Sequence, residues 1–245
     1  MEIPAYTLLT NSDCMKQTLS AMAACTLLFF TSCEKNTSVE YGDLIADPAP
    51  ALQAASNLSN CKDCSYSPVC SGSEYKYSDT SAGTVPIMQQ YTLQYLKDTI
   101  ITGRRYQKIK AAGEQVCYYN CSSGMSTSIT LNSSGPMIKT TNLKANQPVG
   151  HTWSEQITDV FGQANIHNYT IMAKGISRTV AGKLYSDVIY IHDRTSLSMA
   201  GLGLVPVSRT DSYFAKGVGL IETKRLDEVS GLKVFHRVLL NATIP

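Results

Sequence analysis

The sequence predicts an all-β fold, an antiparallel meander that forms a curved sheet or half-barrel. Three observations lead there. From about Glu74 onward, runs rich in Thr, Val, Ile and Tyr recur at the period of a half-buried strand. Gly or Asn stands between those runs, where a tight turn needs a residue that accepts positive φ. No window after Glu74 shows the capped 3.6-residue periodicity of an amphipathic helix.

Taken in order, Tyr91, Leu93 and Tyr95 alternate with Thr92, Gln94 and Leu96 in the first clear strand. The stretches 137–143, 168–172, 186–191 and 232–240 follow the same pattern, dominated by β-branched and aromatic residues. Ile101-Thr-Gly103-Arg104-Arg-Tyr106 has an echo in Val180-Ala-Gly182-Lys183-Leu-Tyr185. Each copy reads as a hairpin, with glycine making the turn and tyrosine starting the returning strand. The two are either an internal repeat or unrelated hairpins using common turn chemistry.

Composition limits the function. The 245 residues carry 21 basic and 19 acidic side chains, a net charge of +2, and 43% are apolar. That balance excludes a disordered charged tail and a broadly basic nucleic-acid face. Only 16% of residues are charged, against about 25% in an average soluble domain.

The leader fixes an address. Lys16 precedes the apolar run Thr18 to Phe30, the charge-then-core order of a secretory signal. The run is shorter than the roughly 20 residues that span a bilayer. It ends in Phe30-Thr31-Ser32-Cys33, which resembles a bacterial lipoprotein signal in the looser form found in Bacteroidetes. The resemblance makes Cys33 the lipidated residue and places cleavage just before it. Residues 1–14, with Glu2, Pro4 and Asp13, fit no leader and read as a start-site misassignment, with Met15 the first residue. Residues 15–32 are then the signal peptide. Cleavage leaves 20 basic and 17 acidic residues.

Residues 33–60 read as a flexible tether, rich in Asn, Ser, Asp, Ala and Pro. A Cys-rich segment follows at 61–73, and the β domain is expected over 74–245. Cys61, Cys64 and Cys70, with Cys117 and Cys121, are candidates for disulfides or for tetrahedral zinc. Export favours disulfides, and five thiols leave one over. A bridge from the segment to the 117–121 hairpin would close a loop of some fifty residues, contributing roughly 4 kcal/mol in the chain-entropy model. Asp98-Thr99-Ile100 matches a short O-glycan attachment signal of Bacteroidetes export pathways, which makes Thr99 a candidate.

The turn Lys144 to Trp153 and the stretch Tyr213 to Glu222 resemble elements of uncharacterised Bacteroidetes envelope lipoproteins. That resemblance covers roughly 75–245 and implies a curved sheet and a cell-envelope, outer-membrane location, with no activity attached. A concave face lined by Tyr, Met, Val and Leu would suit an apolar ligand, or would serve as ordinary core.

No catalytic constellation is visible. His151, His167, His192 and His236 lack metal or catalytic spacing, and no Gly-x-Ser-x-Gly elbow or phosphate loop occurs. Asp227-Glu228 beside Lys224-Arg225 reads as a solvated turn. The expectation is a lipid-anchored envelope protein, attached to the membrane through Cys33, that binds an envelope protein partner or an apolar ligand without catalysis. No cofactor and no nucleic acid are expected. The alternatives are a metal-binding module built on the cysteines and a purely structural surface lipoprotein.

Overall fold

The computed structural model describes residues 64–245, apart from 69, 83–85, 112–115, 131–137, 159–162 and 200. The readings for residues 1–63, including Cys33 and Cys61, lie outside the described residues.

Twelve strands follow one another: β1 (Glu74–Ser81), β2 (Ile87–Ile101), β3 (Arg104–Lys110), β4 (Val116–Ser122), β5 (Met125–Thr130), β6 (Ile138–Lys144), β7 (Thr152–Thr158), β8 (Ala164–Val180), β9 (Lys183–Met199), β10 (Gly203–Ala215), β11 (Gly219–Asp227) and β12 (Lys233–Thr243). All ladders are antiparallel, and the order across the single sheet is β6-β5-β4-β3-β2-β1-β12-β11-β10-β9-β8-β7. The first strand therefore pairs with the last, Glu74 opposite Thr243, and the sheet curls into a nearly closed barrel. The expected curved antiparallel sheet is present, more nearly closed than a half-barrel.

Its seam lies between β6 and β7, which are consecutive in sequence. An edge strand leaves backbone groups without ladder partners, and these must be satisfied some other way. Here side chains do it. The Glu155 carboxylate accepts from the Thr141 N–H at 3.0 and 2.9 Å, and the Trp153 indole N–H donates to the Thr141 carbonyl at 3.3 Å.

The two echoed hairpins share one turn. Thr102 and Gly103 have φ of 49° and 74°, and Ala181 and Gly182 have 48° and 80°. Positive φ at both central residues is the type I′ geometry that matches strand twist. Tyr106 and Tyr185 begin the returning strands and both are buried.

Alternation sorts the two faces. On β9, Ile189, Ile191, Asp193 and Thr195 are buried inward, while Tyr190, His192 and Arg194 face the other way. The inner face of β6–β10 packs Leu143, Trp153, Tyr169, Ile171, Ile191 and Phe214 into one cluster. Across β1, β2 and β4 the filling is tyrosine. Tyr75 meets Tyr95 at 5.3 Å, Tyr77 meets Tyr91 at 5.9 Å, and Tyr95 meets Tyr119 at 6.4 Å between ring centroids. Rings at these distances favour offset or edge contacts. Side chains thus fill the inner face that the sequence offers to core or to an apolar ligand.

Two arginines are buried with them. Arg237 holds Asp79 through two hydrogen bonds of 2.9 and 2.8 Å, and its guanidinium lies over Tyr77, Tyr91 and Phe235. Burial alone would lower the Arg237 pKa, but the bonds from Asp79 raise it. Arg225 is also buried, with Nε 3.4 Å from Thr210 Oγ1. This corrects the reading of Lys224-Arg225 as part of a solvated turn. Ladder alternation sends Arg225 inward with Ile221 and Thr223, a consequence of register that local charge does not reveal.

In a meander the turns alternate between two ends. One end receives the segment before β1, which runs across the barrel mouth. There the Tyr75 hydroxyl donates to the Pro68 carbonyl at 2.8 Å, the Tyr66 hydroxyl donates to Asp187 at 2.5 Å, and Ser67 Oγ meets the Tyr119 hydroxyl at 2.9 Å. Those partners sit on strands around the mouth, so the segment is a plug.

Candidate functional site

The plugged end carries a groove of about 1060 Å³. The β2–β3 hairpin contributes Asp98, Arg104, Arg105 and Gln107, the β4–β5 hairpin Asn120 to Met125, and the β6–β7 connection Lys144, Asn146 and Gln147. Three cations thus face one carboxylate, and amides and hydroxyls make up most of the rest.

Each wall is positioned by a specific bond. Arg105 Nε reaches Asp98 at 3.1 Å, and the Gln107 amide donates to the same carboxylate. Asn120 Nδ2 donates to the Arg105 carbonyl at 2.6 Å, tying β4 to β3. Gly124 stands at φ +73°, and a Cβ there would lie 2.6 Å from the Asn146 side chain. Only glycine lets Asn146 approach and donate to the Ser123 carbonyl at 2.8 Å. Lys144 Nζ lies 5.3 Å from the Trp153 ring centroid. Arg104 is exposed and has no ion pair among the described residues. The groove presents positive charge beside paired amides, a surface that offers hydrogen bonds to hydroxyls and charge to an anion.

The disulfide borders this groove. Cys64 of the plug is bonded to Cys121 of β4, with Cα atoms 6.0 Å apart and a sequence separation of 57. The sequence leaves the cysteine connectivity open, and this bridge is one that joins the Cys-rich segment to the 117–121 hairpin. Cys70 is disulfide-bonded as well. Cys117 is a free, buried thiol, and burial pushes its pKa up to about 11, so it stays protonated and unreactive near neutral pH. No group of three or more His, Cys, Asp or Glu among the described residues could hold a metal ion. Thr99 sits in the β2–β3 ladder opposite Tyr106, half-buried, and Asp98 beside it is bonded to Arg105 and Gln107.

Three of the histidines have carboxylate partners that sequence spacing did not disclose. His167 Nδ1 is 2.9 Å from Asp193, His192 Nδ1 is 2.8 Å from Asp211, and His236 Nε2 is 2.8 Å from Glu222. All three are cross-strand neighbours, legible only from register. His192 and Asp193 face opposite sides, as adjacent strand residues must. Glu222 also takes Arg178 and Lys224. Burial would raise its pKa, but the hydrogen bonds from Arg178, His236 and Lys224 hold it below the usual value. Arg178 comes from β8, and two strands separate β8 from β11 in the sheet. The Arg178 guanidinium crosses that gap over the Tyr213 ring of β10, 3.5 Å from its centroid.

Sequence reading missed the groove. In the sequence its residues read only as turn chemistry, in Ile101 to Tyr106 and Lys144 to Trp153. The usable signal was parity, because alternate turns of a meander share an end.

No family model matches the sequence, and no curated protein matches it. Two solved structures are similar in outline. One is a lipoprotein candidate from Parabacteroides distasonis ATCC 8503, 12% identical, covering 74% of this chain and all of its own, with a TM-score of 0.46. The other is a candidate exported protein with a YmcC-like fold from Bacteroides fragilis NCTC 9343, 6% identical, covering 74% of this chain and 99% of its own, with a TM-score of 0.44. Likeness this distant leaves the activity of this chain open.

Proposed function

We propose that this chain is a lipid-anchored cell-envelope protein that acts by binding, not catalysis, and that its groove holds an anionic, hydroxyl-rich ligand such as an acidic glycan. The observation that carries the ligand class is the groove at the plugged end. Arg104 and Lys144 supply uncompensated positive charge, while Asn120, Asn146 and Gln147 supply amides that can grip vicinal hydroxyls. The volume suits a ligand of a few sugar rings. The address rests on the leader ending at Cys33 and is supported by the Cys64–Cys121 disulfide, since such bonds persist outside the reducing cytosol. A triacylated cysteine would hold the protein firmly, because stable attachment takes more than one chain.

The test is equilibrium binding of polygalacturonate oligomers, with neutral dextran as the control. Binding is expected to the acidic oligomer alone, to weaken as salt rises, and to be lost in the Arg104→Ala/Lys144→Ala double variant. Equal binding of dextran, or an unchanged affinity in the double variant, would refute the groove assignment. The anchor is tested apart from this. Palmitate labelling should vanish in Cys33→Ala, and labelling that persists refutes the lipoprotein reading.

A further inference from the structure

The end of the barrel opposite the plug is different in kind. Three hairpin turns that neighbour one another in the sheet, β1–β2, β11–β12 and β9–β10, carry exposed apolar residues. Ile87 and Met88 stand on the first, Val229 and Leu232 on the second, and Leu202 and Leu204 on the third, at 58–89% exposure. Clustered exposed apolar groups mark an interaction surface, whereas isolated ones do not. The plugged end offers a contrast. Its exposed Ile100, Val149 and Leu184 sit on turns that also carry Arg104, Lys144 and Lys183.

Charge is sparse at these tips, where Lys233 at the start of β12 is exposed beside Leu232. No charged residue occurs between Arg194 and Arg209, or between Asp79 and Lys97. On the β11–β12 turn, Asp227 accepts from Ser230 N at 2.7 Å and Ser230 Oγ at 2.8 Å, and Glu228 is bonded to Arg194 at 2.9 Å. Val229 is left as the tip. The turn backbones are knitted to their neighbours, with Glu228 N donating to the Val207 carbonyl at 3.1 Å and Ala82 N to the Val234 carbonyl at 3.0 Å. The β11–β12 turn is thereby held in place with Val229 and Leu232 as its apolar points.

We infer that this rim docks on the lipid bilayer, its tips entering the interfacial layer. The inference rests on the anchor reading, which brings a membrane to the molecule. Geometry allows it. Cys33 lies 31 residues before Cys64, a contour of at most about 110 Å. The longest strands have 17 residues and span at most about 58 Å. A tether joined at the plugged end therefore reaches a membrane touched by the other end. Hairpin tips project along the strands and expose few unpaired ladder groups, so they suit lipid better than strand addition by a protein partner. The polar groove would then face away from the bilayer.

The experiment uses the full lipidated chain in phosphatidylethanolamine/phosphatidylglycerol vesicles whose acyl chains are brominated, a contact quencher of tryptophan. Leu202→Trp and Val229→Trp report on the rim, and Leu184→Trp reports on the plugged end. Trp153 is buried and gives a common background. The added fluorescence at 202 and 229 should fall about twofold or more, while that at 184 should not, as expected for side chains reaching the acyl boundary. Vesicle retention with no rim quenching overturns this inference and leaves the anchor standing. A chain that neither floats with vesicles nor responds to Cys33→Ala overturns both. Rim quenching that survives Cys33→Ala upholds the docking and removes the anchor. Self-association with an unquenched rim overturns it in favour of a second copy.

Discussion

The two ends of this barrel are made by the same topological device, a hairpin turn at every second strand, yet they differ in almost every physical property. The plugged end is covalently stapled, crossed by the segment 64–73, and rich in cations and amides. At the opposite end the described residues of three neighbouring connections expose apolar side chains, and Asp227 and Glu228 there are bonded to Ser230 and Arg194. The ladder between them is continuous, so neither end is independent of the fold. What differs is how each could be changed. Plug residues bond through side chains to strands around the mouth, whereas rim turns are tied to neighbouring strands by Glu228 and Ala82 and leave their apolar side chains exposed. A meander can thus keep one end for structure and recognition and leave the other free for surface contact.

Substitutions should break this contrast unequally, and the largest effect falls on the staple. Loss of the disulfide in Cys64→Ala/Cys121→Ala frees a 57-residue loop in the unfolded chain. It should destabilise the domain by about 4 kcal/mol, read by denaturant unfolding. Hydrogen exchange should rise first at 64–73 and 121–126, and uniform loss of protection would contradict the plug. Gly124→Ala comes next, because a Cβ meets Asn146 at 2.6 Å and φ is +73°. A cost of about 2 kcal/mol is expected, with weaker glycan binding. Ser at Val229 or Leu202 should change stability by no more than about 0.5 kcal/mol. A large loss there would mean that the rim is part of the core.

Acid should act at both ends. Asp187 at the plugged end is held below its ordinary pKa of 3.8 by bonds from Tyr66 and Lys216, and Asp227 near the rim by its bonds from Ser230. A carboxylate whose folded pKa is depressed contributes stability that is complete above its unfolded pKa. That contribution is lost as pH falls through the folded value. Melting temperature should therefore be level down to about pH 4 and fall below it. Asp187→Asn should flatten part of that fall. A melting temperature that rises on acidification would contradict these ion pairs.

Much of the architecture was legible. Period-two alternation found strands at 91–96, 186–191 and 232–240, and glycine chemistry found the turns at 103 and 182. Strand lengths were underestimated, because β8 and β9 continue through polar residues such as Lys174, Arg178 and Arg194 that lie on the partly exposed face. The buried Arg225 and Arg237 and the histidine–carboxylate pairs were not legible. They depend on which residue lies across the ladder, and register is set by the whole sheet. The groove was illegible for the same reason. Its walls come from three turns separated by some twenty residues each, and only a known strand order brings them together.

The central claim is that recognition belongs to the plugged end. Hydrogen–deuterium exchange on the full chain, with and without saturating polygalacturonate oligomers, tests it most directly. Protection is predicted to increase at 103–107, 120–125 and 144–147, and to stay unchanged at 201–204 and 228–232. Protection appearing at the rim, or nowhere, would contradict the assignment.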